Sequence, residues 1–186
     1  LWNTYSFFIT YANLDKFNPK KHSLDKVQLT TLDRWVIAKV NQFIQTSELY
    51  YEKFELHKLM KEASILLDDI SNWYVRRSRR RFWKSENDED KEGAYVTLYH
   101  VLVTYIKIMS PVVPFISEKI YENLVISVYD NAPKSIHLTT FPNIDNRFTD
   151  NDLVEGIDII KEIVGLGRSA RNKENLKIRQ PLSDIK

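Results

Sequence analysis

The stretch MSPVVPFISEKIY, residues 109–121, marks where one helix ends and the next begins. Pro111 ends the preceding helix because proline has no backbone N–H and restricts the residue before it. Pro114 suits the first position of a new helix, where an N–H would have no helical partner. The stretch therefore predicts two successive helices of a bundle.

Apolar residues at helical spacing extend this pattern in both directions along the chain. Thr30 with Asp33 resembles the start of a helix of the capping-box type. The predicted helices cover approximately residues 1–12, 32–50, 54–84, 95–109, 114–124 and 153–175. Together they predict an all-α fold, an antiparallel helix bundle.

Helical spacing is lost between residues 127 and 146, which predicts a small extended insert. Within it, residues 135–139 alternate in character and could form a short strand. We predict one helical domain over residues 1–175 and the start of a C-terminal junction segment at 176–186. A chain that starts at Leu1 and stops just after an element begins is expected to be a fragment of a longer one.

The composition excludes several classes of protein. The chain has 186 residues, 43% of them hydrophobic, and no Cys, which excludes disulfides and thiolate metal sites and favours a cytoplasmic location. The four His are not spaced as helical metal pairs. No apolar run approaches the roughly 20 residues that cross a bilayer, so no membrane partner is expected.

Catalytic motifs are absent as well. Residues 165–170, GLGRSA, match a dinucleotide fingerprint, but the residues before them have helical spacing instead of the strand that this motif requires. No pair of carboxylates is singled out for acid and base roles. We predict no catalytic, metal-binding or cofactor-binding residue within this chain.

Charge is distributed unevenly, although the net charge is only +2. Five of the ten arginines lie within residues 76–81, and acidic residues follow at 86–92. Five arginines in six positions surround a helix and cannot all face one ligand. Arg77 and Arg81 continue the core stripe, which predicts that they are structural and paired with a carboxylate or placed at a contact between elements.

A neighbouring, exposed stripe carries Arg76, Arg80, Trp83 and Lys84, and Arg79 extends the basic surface sideways. Guanidinium groups there suit phosphate contacts, with an aromatic ring available to stack on a base. The residues predicted to contact nucleic acid are Arg76, Arg79, Arg80, Trp83 and Lys84. The alternative is that salt bridges to the acidic residues at 86–92 occupy them.

A second basic region occurs near the C-terminus. Alone it would be an ordinary solvated face, but with the arginine run it predicts a nucleic-acid surface assembled from two helices, because such binding sums several phosphate contacts. Its residues are Arg168, Arg171, Lys173, Lys177 and Arg179.

Residues 109–121 resemble the Ser-Pro-x-x-Pro-Phe signature in the helical anticodon-binding domain of the class I aminoacyl-tRNA synthetases for isoleucine, valine and leucine. Residues 1–3 (LWN), residues 32–35 (LDRW) and the order of helices are also similar to that domain. Other segments resemble the isoleucyl enzymes in particular, of the eukaryote-like type, because valyl and leucyl enzymes usually lack the arginine run. These segments are residues 72–83, 135–138 and 177–182.

The resemblance implies a domain that recognises the anticodon arm of isoleucine tRNA and joins a catalytic domain of the same chain. The whole enzyme would ligate isoleucine to its tRNA with ATP and Mg²⁺. Neither its His-x-Gly-His type motif nor its Lys-Met-Ser-Lys-Ser loop occurs here, so catalysis and editing are expected to reside elsewhere. Two alternatives stay open: a helical interaction module that docks to another protein domain, or the same domain from a valyl-type synthetase.

Overall fold

The computed structural model describes residues 1–84 and 88–181. Within these ranges the chain is mainly helical and no residue lies in a β-strand, which confirms the all-α fold class. The α-helices are α1 Trp2–Leu14, α2 Thr31–Glu52, α3 Leu56–Asp68, α4 Arg76–Trp83, α5 Glu89–Met109, α6 Pro114–Tyr121 and α7 Asn151–Lys173. Two π-helical segments, Asp69–Val75 and Glu122–Ile126, and two short 3₁₀ turns, Ile136–Leu138 and Asn146–Phe148, complete the helical elements.

The chain forms two compact units, Leu1–Thr149 and Asp150–Lys186. The first unit contains α1 to α6, and the second contains α7 and the segment after it. The division into a domain of residues 1–175 and a junction segment at 176–186 stays a prediction. Residues 182–186 of that segment lie outside the described residues.

Helix α5 is the centre of the first unit. It packs against α1, α2, α4 and α6, and it is buried on nearly every side. Leu98, Leu102 and Ile106 are fully buried along it. A helix that is buried all round acts as the core element about which the others pack.

Two predicted helix starts are confirmed. The Thr30 hydroxyl accepts a hydrogen bond from the Asp33 N–H (3.3 Å), and the Thr30 N–H donates to the Asp33 carboxylate (2.8 Å), which completes a capping box. Pro114 occupies the first turn of α6. Both features are local, which explains why the sequence alone predicts them.

Helix α5 begins at Glu89, earlier than the predicted start near residue 95, so most of the acidic residues after the arginine run belong to it. Asp88 caps α5 by accepting a hydrogen bond from the Lys91 N–H (2.8 Å), and Glu89, Asp90 and Glu92 form the first turn of that helix. Carboxylates are favoured there because the helix dipole is positive at its N-terminus. Glu86 lies outside the described residues.

The short strand predicted at residues 135–139 is also wrong. Ser135 caps a 3₁₀ turn at Ile136–Leu138 by accepting a hydrogen bond from the His137 N–H (3.2 Å). The Glu118 carboxylate holds this turn against α6, since it accepts from the Ser135 hydroxyl (2.8 Å) and the Ile136 N–H (3.0 Å). Polar capping therefore replaces strand pairing in the insert.

Two residues after the end of α2, the backbone adopts an unusual conformation. Phe54 has a φ of 57°, and the Phe54 and Glu55 N–H groups donate back to the carbonyls of Tyr51 and Tyr50. This is a Schellman ending, in which glycine normally occupies the left-handed position. The Phe54 side chain is 89% exposed, so packing does not compensate for its backbone conformation.

Candidate nucleic-acid interface

The arginine run lies at the end of one long helical rod, in which α3, the π-helical segment Asp69–Val75 and α4 follow without a break. A π-helical segment winds more widely than an α-helix, so the residues beyond it are rotated from the positions that a 3.6-residue period predicts. From Ile70 to the end of the rod, the residues that are at most 1% exposed follow steps of four: Ile70, Tyr74, Ser78 and Phe82.

This rotation changes the place of Arg77. The prediction that Arg77 continues the core stripe is wrong, because the neighbouring Ser78 takes the buried position and Arg77 is exposed. The Arg77 guanidinium lies 3.3 Å from the centroid of the Trp73 ring, a cation–π contact at the surface of the rod. Arg77 therefore belongs to the exposed basic surface.

Arg81 confirms the prediction of a structural arginine paired with a carboxylate. Its guanidinium donates to both carboxylate oxygens of Asp33, at 2.7 and 2.8 Å, and its Nη2 donates to the Asp90 carbonyl at 2.9 Å. The Tyr74 hydroxyl donates to the same Asp33 carboxylate at 2.6 Å. Arg81 thus joins α4 to the starts of α2 and α5.

The contacts among Arg81, Asp33 and Tyr74 keep each of the two acidic groups in one protonation state. Burial alone raises the pKa of Asp33, but hydrogen bonds from Arg81, the charge of Arg81 and hydrogen bonds from Tyr74 and Thr30 together hold that pKa below its usual range. Burial and the neighbouring Asp33 raise the pKa of Tyr74 well above normal. Asp33 is therefore ionised and Tyr74 protonated at neutral pH.

The acidic residues after the run bind only part of it. Lys84 pairs with Asp88 (3.1 Å) and Asp90 (2.8 Å), while Arg81 lies 2.7 Å from Asp90. The buried Lys91 pairs with Asp15 (2.7 Å) and donates to the Lys84 carbonyl. The salt-bridge alternative thus holds for Lys84, whereas the pairing of Arg81 is the one predicted for a structural arginine.

Three arginines of the run remain available. Arg76, Arg79 and Arg80 are exposed, and no carboxylate in residues 1–84 or 88–181 forms an ion pair with them. Arg79 lies 5.9 Å from the centroid of the Phe7 ring, and Trp83 is 55% exposed at the end of α4. These groups form an unneutralised face with an aromatic side chain beside it. We call this the arginine face.

The second basic region belongs to the unit that contains α7. Arg168, Lys173, Lys177 and Arg179 are exposed there. Arg171 is partly buried because its guanidinium donates to the carbonyls of Lys177 (3.0 Å) and Gln180 (2.8 Å), which holds the segment after α7 in place. The assembly of both regions into one surface stays a prediction.

Some polar residues beside the arginine face are absent from the sequence-based prediction. Asn72 and Ser71 precede Arg76 on the rod, and Asn3 and Thr4 lie near them on α1. Asn72 is four residues before Arg76, a spacing that places both on one helical face and could have indicated it. The proximity of α1 has no comparable signal in the sequence.

Residues 165–170 lie inside α7, so the strand and turn of a dinucleotide fingerprint are not formed. Across residues 1–84 and 88–181, no group of three His, Asp or Glu side chains is arranged to hold a metal ion. In the same ranges no helix combines the length and apolar character that crossing a bilayer requires.

The chain is similar to characterised proteins over its full length. It is 46% identical over 185 residues to an isoleucine–tRNA ligase of Clostridium novyi (strain NT) and 47% identical over 185 residues to one of Clostridium kluyveri. An isoleucine–tRNA ligase of Dehalococcoides mccartyi is 43% identical over 186 residues. In each case the whole of this chain is covered, and it spans 18% of the length of the relative.

Residues 33–186 also match the family described as the anticodon-binding domain of tRNA ligase. This match includes both π-helical segments, the arginine run and α7. The all-helical fold of the described residues agrees with this match. This chain therefore belongs to the family of anticodon-binding domains of tRNA ligases.

Proposed function

We propose that this chain binds the anticodon arm of isoleucine tRNA as part of an isoleucine–tRNA ligase. The observation that carries the proposal is the arginine face, where Arg76, Arg79 and Arg80 are exposed and unpaired among the described residues although acidic residues follow them in sequence. A protein that used these arginines for stability would pair them. Their availability in a member of this family favours an RNA phosphate as the partner.

The chemistry of the arginine face suits RNA. A guanidinium presents a planar fork of donors that matches two phosphate oxygens, and each charge on RNA that it neutralises releases a counterion. Trp83 supplies a ring on which an unstacked base can stack, as is common in single-stranded RNA recognition. Lys84, which two carboxylates already engage, would contribute less.

We extend the proposal to the whole protein. The whole protein would activate isoleucine with ATP and Mg²⁺ in the cytoplasm, through a catalytic domain of the same chain. Within residues 1–84 and 88–181, residues 165–170 are helical and no cluster of metal ligands occurs, so ATP and Mg²⁺ would bind in that catalytic domain. The eukaryote-like type of the enzyme stays part of the proposal.

The test is filter binding of the chain to isoleucine tRNA and to valine tRNA over a range of salt concentrations. Changing Arg76 and Arg80 together to Ala should weaken binding of isoleucine tRNA by about 1–3 kcal/mol and reduce the salt slope, while the fold is retained. Arg147→Ala is the matched control, since Arg147 is exposed but engaged by Asp25 and Asp145.

The alternatives predict different results. A valyl-type domain would prefer valine tRNA. A protein-docking module would bind both tRNAs equally or not at all, and the double variant would behave as the wild-type chain does. Either result would contradict the proposed function.

A further inference from the structure

We propose that a cleft formed by α5, α6 and the residues after α6 binds a small aromatic monocarboxylate. The cleft has a volume of about 560 Å³, within the range of about 300–1,000 Å³ that is usual for small-molecule sites. All of its described lining residues belong to the first unit, and none of them is part of the arginine face. The inference therefore goes beyond the proposed function and does not depend on RNA binding.

The floor of the cleft is a strip of α5 that other elements leave partly open. Over residues 93–109 every residue is buried except Tyr99, His100, Val103 and Lys107. Three of these, Tyr99, Val103 and Lys107, line the cleft. They follow one another at intervals of four positions, which places them on one side of the helix. The packing of the first unit thus leaves part of its central helix available to a ligand.

One wall of the cleft is fixed by hydrogen bonds from the tyrosines that line it. The Tyr121 hydroxyl donates to the Pro133 carbonyl at 3.1 Å, and Pro133 also lines the cleft. The Tyr99 hydroxyl donates to the Leu124 carbonyl at 3.0 Å, which ties α5 to the π-helical segment after α6. A site that is formed before its ligand arrives loses less conformational entropy on binding.

Aromatic and aliphatic side chains make up most of the lining. Tyr129 lies there with Tyr99 and Tyr121, and Val125 and Leu138 add aliphatic surface. Since carbonyl groups already engage the hydroxyls of Tyr99 and Tyr121, these two residues offer a ligand mainly the surface of their rings. Aromatic rings prefer offset or edge-to-face contacts with another ring. The lining therefore favours a ligand with a flat, apolar body.

Lys107 provides the one charged group among the described residues that line the cleft. Its side chain is partly buried, and its ammonium forms no ion pair or hydrogen bond with a described residue. Burial lowers the pKa of Lys107, and no neighbouring carboxylate opposes that effect. A carboxylate on the ligand would supply the missing partner through a charge-assisted hydrogen bond, which is stronger beside apolar side chains than in water.

Other classes of ligand suit the cleft less well. Binding sites for phosphate groups combine several N–H donors or cations, whereas Lys107 is the single cation that the described lining offers. A neutral apolar ligand would cover the ammonium without pairing it, which is unfavourable for a charged group. A single carboxylate on an aromatic body matches both the charge and the lining.

The test compares two compounds of nearly the same shape, naphthaleneacetate and its neutral amide, naphthaleneacetamide. Isothermal titration calorimetry should show that the chain binds the acid at least about tenfold more tightly than the amide. Methyl NMR signals of Val103, Val125 and Leu138 should shift when the acid is added, because the aromatic body would lie beside them. Equal affinity for the two compounds, or methyl signals that do not move, would overturn the proposal.

Lys107→Met keeps an apolar stem and removes the ammonium. It should weaken binding of the acid by about tenfold or more and leave binding of the amide unchanged. Lys134→Met is the matched control, since Lys134 is exposed and does not line the cleft. If both variants weaken binding of the acid equally, a general charge effect is responsible and the proposal is wrong.

Circular dichroism melting shows whether each variant keeps the fold. If Lys107→Met does not fold, the comparison of the acid with the amide on the wild-type chain still decides the result. Lysine side chains often extend along apolar surface only to bring the ammonium to water. A Lys107 of that kind would give the acid no advantage over the amide, and this outcome would refute the site.

Discussion

Arg81 and Asp33 join α4 to α2 through two parallel hydrogen bonds, from Nη1 to Oδ1 (2.7 Å) and from Nη2 to Oδ2 (2.8 Å). The same carboxylate closes the capping box of α2 and accepts the Tyr74 hydroxyl. One fully buried side chain therefore fixes a helix start and the position of the rod that carries the arginine face.

Replacing Arg81 with Ala should lower the free energy of unfolding by about 3–5 kcal/mol, because it leaves the buried Asp33 carboxylate without its cation. Urea denaturation followed by circular dichroism measures this. The control is Arg80→Ala, which removes an exposed guanidinium one position earlier and should change stability by no more than about 0.5 kcal/mol. Equal losses in the two variants would contradict the assignment.

Low pH should weaken the ion pair between Arg81 and Asp33. The pKa of Asp33 is lower in the folded chain than in the unfolded one. The stability that the ionised Asp33 contributes is therefore fully present above the pKa of the unfolded state, and it is lost as pH falls through the pKa of the folded state. The stability difference between wild type and Asp33→Asn should therefore narrow as pH falls below about 4. Urea melts between neutral pH and pH 3 test this. A difference that does not vary with pH would exclude the ionised carboxylate as its source.

Arg77→Ala should lower the free energy of unfolding much less than Arg81→Ala does, because Arg77 is exposed whereas Arg81 pairs with the buried Asp33. Thermal melting checks this difference, and Trp fluorescence reports whether the Trp73 environment changes. A loss of stability as large as that of Arg81→Ala would show that the Arg77 guanidinium stabilises the fold.

The different outcomes for Arg77 and Arg81 show what the sequence can predict. The helix start at Thr30, the break at Pro111 and the restart at Pro114 depend on neighbouring residues, so local rules predict them. The place of Arg77 depends on how widely the backbone winds at Asp69–Val75, and a 3.6-residue period cannot show that. The position of Asn3 and Thr4 near Asn72 brings together residues about 70 positions apart in the chain, which no local pattern predicts.

Gly93→Ala should destabilise the first unit by about 1–3 kcal/mol. A Cβ at this position in α5 would lie 2.3 Å from the Gln28 carbonyl oxygen, which is backbone and cannot move aside easily. Gly165→Ala provides the control. It also adds a methyl group inside a helix, but no described atom outside the local helix backbone lies within 4 Å of the added Cβ. The substitution should therefore stabilise α7 by about 0.5–1 kcal/mol. Differential scanning calorimetry compares the two, and a stabilised Gly93→Ala would refute the close approach.

Phe54→Gly should raise the free energy of unfolding by about 1 kcal/mol, because a left-handed backbone strains every residue except glycine. Phe54→Ala separates the two contributions, since it removes the exposed ring but keeps the Cβ that causes the strain. Chemical denaturation should rank Gly above both Ala and Phe. If Ala stabilised the chain as much as Gly does, the ring and not the backbone would be responsible.

The segment Asp69–Val75 also sets what kinds of change this chain tolerates. Five arginines in residues 76–81 share one side-chain chemistry, so their identities cannot decide which of them lies in the interior and which lie at the surface. The assignment is made by the number of backbone positions that precede them. Losing one residue from the segment would turn everything after it by about 100° and bring a different guanidinium into the hydrophobic interior. Insertions and deletions there would therefore be far more damaging than substitutions, and the length of the segment carries as much information as its sequence.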